Sequence, residues 1–295
     1  MSILPIELDA DRRGGRVQTP AKINLFLEVL GRRADGYHEI ETLMVAIDRT
    51  DTVTVREANA DHLVVSGESI PATPDNLVWR ALAALRENRE VPPIEMHLEK
   101  RIPAGTGLGG GSGNAAGTLA LLDALYPAPA ETALSRLGAA LGSDVPFFFG
   151  SGAAVGRGRG EKLTDVEGLF GDETPTLQIV VPGARSATAA AYGGLHLPFS
   201  DPGTRPLSLD RFRGREWRSE LFNRLEEPVF GAFEPLARLA GWFESVVPGE
   251  WRMTGSGSAF VLYAPLPDEE LQRGAETLGV SVQTFLARPL VSRTL

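Results

Sequence analysis

The sequence predicts an α+β chain of two domains, and three observations carry that expectation. At 295 residues the chain exceeds the ~250 at which a single hydrophobic core tends to stop growing. Its first third is dominated by extended segments rich in branched and aromatic residues. After Gly160 the pattern changes to a second mixture of strands and helices, which reads as a separate α+β unit. The expected division is 1–165 for an N-terminal domain and 166–295 for a C-terminal one, with the boundary near 163–174.

Residues 21–30 (AKINLFLEVL) alternate loosely, and beyond the Asp35-Gly36 turn signal residues 38–47 form a second extended run. Further strands are expected at 52–56 and 62–65. Asp75 is placed to cap a helix in which Leu77, Ala81, Ala84 and Leu85 recur at helical spacing. Ile94, Met96 and Leu98 alternate with Glu95, His97 and Glu99, the pattern of a strand with one wet face. That strand enters a glycine-rich run. Ser112 is then expected to cap a helix showing Ala115, Leu119 and Leu122 on one face, with another helix near 131–141. In the second unit strands are expected at 177–181 and, flanking the glycine-rich 254–258, at 252–253 and 259–263. Helices are expected at 186–192, 216–224 and 230–243, further elements at 268–278 and 280–285, and 198–209 reads as a long surface loop.

Composition removes whole classes of function. Lys plus Arg number 29 against 38 Asp plus Glu, a net charge of -9, and such a field opposes a broad nucleic-acid surface. With no cysteine there are no disulfides, thiolate metal sites or cysteine nucleophiles. The N-terminal stretch lacks a signal peptide's basic start and apolar run. The most apolar segment, 145–155, contains Pro146 and Gly150 and falls short of a bilayer span. A soluble cytoplasmic protein is expected, with no membrane or nucleic-acid partner. The four histidines, His38, His62, His97 and His196, show no metal-ligand spacing, and no G-x-S-x-G elbow occurs.

Six of the nine residues from Gly105 to Gly113 are glycine. Gly105, Gly107 and Gly110 satisfy G-x-G-x-x-G, but the amphipathic strand before them, Pro103, and an acid (Asp123) lying within a helix do not fit a dinucleotide-binding unit. Backbone amides in such a run can approach an anion closely, and the helix that follows adds the positive end of its dipole. A phosphate cradle and a tight-packing loop both fit. Only three of the 29 basic residues are lysine: Lys22, Lys100 and Lys162. Lys22 sits in an apolar strand with Asn24 on the same face by period two, where an edge-strand lysine and a functional one are equally compatible. Asp144 opens an apolar segment, as a turn carboxylate or a functional acid would. The glycine-rich 254–258 reads as a hairpin turn.

Five blocks in order, PAKINLFL (20–27), RADGYHE (33–39), PAGTGLGGGSGNAAG (103–117), SDVPFFFGSGAA (143–154) and TGSGSA (254–259), resemble the GHMP kinase superfamily, in particular the branch acting on 4-diphosphocytidyl-2-C-methyl-D-erythritol. The resemblance implies a ribosomal protein S5 domain 2-like N-terminal domain and a ferredoxin-like α+β C-terminal one, with the cytidine substrate in the cleft between them. It implies ATP as phosphoryl donor, bound by Pro103, Ala104, Gly105, Thr106, Gly107, Leu108, Gly109, Gly110, Gly111, Ser112 and Gly113. Mg2+ is expected to arrive on ATP, without an assigned protein ligand. Lys22 and Asp144 correspond to the catalytic pair, and Asn24, Tyr37, His38 and Tyr192 to the substrate pocket, with Tyr192 stacking on cytosine. Gly113 stands where the family usually carries a second serine. Another small-molecule kinase of the superfamily, or an ATP-binding regulator without turnover, are the alternatives. A monomer or weak homodimer is expected.

Overall fold

The computed structural model describes residues 3–68, 70–127, 134–171, 174–195 and 204–291. Its contacts divide the chain into two compact units: Met1–Lys22, Asp48–Ala104 and Gly109–Gly152 form the first, and Ile23–Ile47, Gly105–Leu108 and Ala153–Leu295 the second. Two long strands, β2 (Gly14–Arg32) and β3 (His38–Glu57), supply residues to each. The two extended runs expected at 38–47 and 52–56 are therefore one strand. Residues 198–203 of the expected surface loop, and 131–133 at the start of the expected helix, lie outside the described residues.

In the first unit β1 (Ile6–Leu8) pairs antiparallel with the start of β2. The end of β3 pairs antiparallel with β5 (Ile94–Lys100), which pairs parallel with β4 (His62–Gly67). β5 alternates as its sequence requires: Ile94, Met96 and Leu98 are buried while Glu95 and His97 face water. Three helices, α1 (Leu77–Arg86), α2 (Gly110–Leu125) and α3 (Leu134–Leu141), pack on one another. The cap of α1 is Asn76 rather than Asp75: its side chain accepts from the Val78 amide. Helix α2 is buried nearly all round, which its small residues permit. A Cβ on Gly113 would lie 2.9 Å from the Pro20 carbonyl oxygen, and one on Gly117 would lie 2.3 Å from Thr19 Cγ2. Glycine at 113 and 117 lets β2 pack directly on the helix.

In the second unit the start of β3 pairs antiparallel with β6 (Ala153–Gly158), and β6 with β7 (Lys162–Asp165). A four-stranded antiparallel sheet is formed from β8 (Leu177–Pro182), β10 (Trp251–Met253), β11 (Phe260–Leu262) and β12 (Val282–Ala287), in the order β10-β11-β8-β12. Val180, Phe260 and Leu262 of this sheet share a core with Leu236, Leu239 and Phe243 of α7 (Glu234–Val246) and Leu271 and Ala275 of α8 (Asp268–Thr277). Short helices α4 (Thr188–Gly193), α5 (Leu209–Arg213) and α6 (Glu226–Ala232) complete the α-helices among the described residues.

Two helical expectations fail here for physical reasons. Residues 216–224 form one 3-10 turn, Trp217–Glu220, and then strand β9 (Phe222–Asn223), which pairs parallel with β2 at Phe26 and Leu27. Phe222 packs its ring on Phe26, with centroids 5.7 Å apart, so tertiary pairing overrides a weak local helical preference. The helix expected at 230–243 is two helices, because Phe233 leaves helical geometry (φ -123°, ψ 86°) and Pro235 falls in the first turn of α7, where its missing amide costs nothing.

Candidate active site

Within the first unit, Lys22 is buried in β2 and its Nζ stands 3.4 Å from Asp144 Oδ2. Asp144 is held from both sides. Before it α3 ends at Leu141, and the Val145 amide donates to the Gly142 carbonyl. After it the 3-10 turn Pro146–Phe149 buries Phe147 and Phe148, their rings edge to face at 5.2 Å. The Asp144 side chain is 35% exposed against 5% for Lys22, so a fixed cation underlies a carboxylate that an incoming molecule can reach.

The glycine run meets this pair at Gly109. A Cβ there would lie 2.7 Å from Lys22 Cγ and 3.3 Å from Phe148 Cζ, and its φ of +71° lies in the left-handed region. Both facts demand glycine. Gly109, rather than Ser112, is the N-cap of α2, because a left-handed residue already turns the chain into the helix. The first helical bond runs from the Gly113 amide to the Gly109 carbonyl, so the amides of Gly110, Gly111 and Ser112 come before any i−4 partner. They lie at the positive end of a 16-residue helix, a ready site for an anion. Ser112 occupies the first turn, half-buried.

Beneath that turn lies a charged cluster that the sequence did not reveal. Lys100 and Asp51 are both buried and form an ion pair. Asp51 also accepts from the Arg101 and Ile102 amides at 2.7 and 2.8 Å and from Asn114 Nδ2 at 2.9 Å. Asn114 in turn accepts from Lys100 and donates to Thr19 Oγ1. A Cβ on Gly110 would sit 3.0 Å from Lys100 Nζ. The cluster therefore ties the end of β5, the start of α2 and β2 together. Its only sequence signal was the rarity of lysine; nothing local marked Asp51.

Within the second unit, the Asn24 amide donates to Thr254 Oγ1 at 2.9 Å and its Nδ2 donates to Thr42 Oγ1 at 2.7 Å. The 254–258 segment is the expected hairpin between β10 and β11, with Met253 opposite Phe260. It also packs on the Gly105–Leu108 part of the glycine run. The Ala259 amide donates to the Thr106 carbonyl at 3.0 Å. A Cβ on Gly107 would stand 2.3 Å from the Thr254 carbonyl oxygen. Pro103, Thr106 and Leu108 are buried, Ala104 half-buried and Gly105 exposed.

The need for glycine at 107 is thus contact with the hairpin turn in addition to any approach by phosphate. Gly107→Ala, at φ +83° with a carbonyl in the way, is expected to destabilise by about 2 to 4 kcal/mol. Gly105→Ala has φ +67° but open space, and should cost only the left-handed strain of roughly 1 to 2 kcal/mol. Urea denaturation of both variants decides: equal costs would refute the packing explanation.

Also in the second unit, His38 and Tyr192 stack on each other, ring centroids 5.2 Å apart and planes 28° from parallel. Tyr37 is 54% exposed, with the Arg159 guanidinium 4.7 Å from its ring centroid. Burial, and then the charge of Arg32, hold the His38 imidazole below its ordinary pKa. This favours the neutral ring, which offers one donor and one acceptor nitrogen. The structure thus brings together Lys22 with Asp144, His38 with Tyr192, and Asn24 with the hairpin turn.

Comparison with known proteins agrees with these motifs. Residues 76–152 match the family model for the GHMP kinases N terminal domain. A 4-diphosphocytidyl-2-C-methyl-D-erythritol kinase of Porphyromonas gingivalis is 38% identical over 263 residues, 87% of this chain and 94% of that protein. One from Shewanella sp. strain ANA-3 is 33% identical over 287 residues, 91% of this chain and 95% of that protein. A crystal structure of 4-(cytidine 5'-diphospho)-2C-methyl-D-erythritol kinase superposes with a TM-score of 0.75 at 34% identity, covering 93% of this chain and 98% of that one.

Proposed function

We propose that this chain, which belongs to the 4-diphosphocytidyl-2-C-methyl-D-erythritol kinase family of the GHMP kinases, phosphorylates the 2-hydroxyl of 4-diphosphocytidyl-2-C-methyl-D-erythritol. ATP is the donor; the products are the 2-phosphate and ADP, on the non-mevalonate route to isoprenoid precursors. The observation that carries this reading is the Lys22–Asp144 pair at 3.4 Å beside a glycine that opens a helix N-terminus.

Phosphoryl transfer through a loose transition state asks the protein to align donor and acceptor and to stabilise charge on the moving group. Asp144 accepts the proton of the 2-hydroxyl, whose oxygen bonds to the γ-phosphorus as the bond to the bridging oxygen of ADP breaks. The Lys22 ammonium and the amides of Gly110 to Ser112 stabilise the phosphoryl oxygens. A compact ammonium serves both Asp144 and the phosphoryl group where a planar guanidinium would need a wider fork of acceptors. The run from Pro103 to Gly113 holds the ATP phosphates, whose negative charge a Mg2+ ion bound to ATP would help neutralise. Asn24 lines the substrate pocket. Tyr37, His38 and Tyr192 take the cytidine end, and the domains divide near residue 165. A cytoplasmic location, as a monomer or weak homodimer, goes with this reading.

ADP release measured with a panel of hydroxylated substrates tests the function. Turnover is expected with the cytidylyl compound; turnover of another alcohol in its place refutes the reading. Tyr192→Ala tests the base clamp separately. Stacking on an aromatic ring is worth ~1 to 3 kcal/mol per base, so affinity for the cytidylyl compound should fall roughly 5- to 150-fold. Affinity for an ATP analogue should stay within about twofold, well under one such contact. Calorimetric titration showing equal cytidylyl affinity for mutant and wild type removes Tyr192 from the clamp.

A further inference from the structure

The hairpin turn at 254–259 reaches both Asn24 and the Gly105–Leu108 loop. It closes on itself through bonds from the Thr254 amide to the Ala259 carbonyl and from the Gly257 amide to the Thr254 carbonyl, and Ser186 Oγ donates to the Ser256 carbonyl. Its entry, residues 253–255, is held from outside by the two-residue strand β9. Asn223 is 4% exposed. Its Nδ2 donates to the carbonyls of Met253 and Gly255 at 2.7 and 2.9 Å, and its Oδ1 accepts from the Leu225 amide at 3.0 Å. Glu226 Oε1 accepts from the Met253 amide at 2.8 Å, so Met253 is gripped by both its peptide groups.

Only a short side-chain amide fits this role. Aspartate has no donor for two carbonyls, serine has one, and glutamine is a methylene too long. The register of Asn223 is set in turn by β2, the strand that carries Asn24: Leu27 is paired with Asn223, and the Arg224 amide donates to the Leu27 carbonyl at 2.8 Å. From Asn24 the connection returns through its amide to Thr254 Oγ1. The loop of strand, side-chain amide and turn is closed.

We propose that Asn223 is a positioning residue for phosphoryl transfer: it fixes residues 253–255 so that Asn24 and the Gly105–Leu108 loop are held in their reactive arrangement. This rests on the kinase reading above. A misplacement of about 1 Å costs on the order of 100-fold in rate, so Asn223→Ser, which keeps one donor, should lower kcat roughly 10- to 100-fold. Leu271→Ala, a truncation in α8 of the core that also holds Met253 and Leu225 but without loss of any hydrogen bond to residues 253–255, serves as a control for loss of stability. It should lower Tm while kcat stays within about twofold, as expected for a change that leaves transition-state contacts alone.

The experiment measures Tm, kcat and KM for both variants at a temperature where each is folded, together with amide hydrogen exchange. In Asn223→Ser the Asn24 and Ala259 amides should exchange faster by roughly tenfold or more, because the turn opens locally, while the Val180 amide of β8 is unchanged. Asn223→Ser with wild-type kcat, or with a loss no greater than that of Leu271→Ala, overturns the inference. Unchanged exchange at Asn24 and Ala259 overturns it without reference to activity, so an inactive wild type, which would refute the kinase reading, is a distinguishable result.

Discussion

Asp144→Asn is expected to lower kcat by roughly 10²- to 10⁴-fold, the range for a lost general base, while the dissociation constants of both substrates change little. Asparagine keeps the shape of the side chain and its place between α3 and the 3-10 turn Pro146–Phe149, which is set by the burial of Phe147 and Phe148 rather than by the carboxylate. What disappears is the proton acceptor 3.4 Å from Lys22 Nζ. Because the lost interaction develops in the transition state, kcat and kcat/KM should fall together. Single-turnover kinetics with saturating ATP measure the chemical step directly. A near-normal rate removes Asp144 from the mechanism, and a raised KM with unchanged kcat reassigns it to ground-state binding.

Lys100→Met should destabilise the protein by about 3 to 5 kcal/mol. Asp51 and Lys100 have side-chain exposures of 0% and 2%, so solvent cannot replace the missing partner. Methionine retains the stem and leaves the Asp51 charge to Asn114 and the two backbone amides. Lysine has no comparable reserve on the other side, where Asn114 Oδ1 at 3.2 Å is a single neutral acceptor. Asp51→Asn should therefore cost at least as much. The two changes act on one interaction, so the double variant should be less destabilised than the sum of the singles. Urea denaturation of the four proteins measures this; a loss under about 1 kcal/mol for Lys100→Met would place the pair among weak, surface-like ion pairs.

Some of this molecule is written locally, in patterns that need only one element to be read. The alternation of β5 and the helical spacing of α1 each follow from steric and hydrophobic demands within a few residues. The motif blocks around Lys22, Gly105–Gly113 and Asp144 carry the resemblance to the kinase family, with Gly113 as the one departure noted in the sequence. The 38–57 strand was legible as extended but not as continuous, since the polar residues Asp48 and Asp51 interrupt its apolar pattern. Asp51 is there because Lys100, 49 positions away, neutralises it.

By itself, then, the sequence determined the α+β class, most of the elements and the chemical identity of the candidate site: a lysine, an aspartate and a glycine-rich loop opening a helix. Only the tertiary structure decided that Gly109 caps that helix, that 222–223 is a strand, and that Gly107 and Gly113 are small because backbone passes beside them. It alone joined Asp51 to Lys100 and Asn223 to the hairpin turn. The physical reason is the range of the interactions. Propensity and periodicity act over one or two turns of chain, whereas burying a charge or satisfying two carbonyls depends on a partner whose distance in sequence is unconstrained, and no local pattern records it.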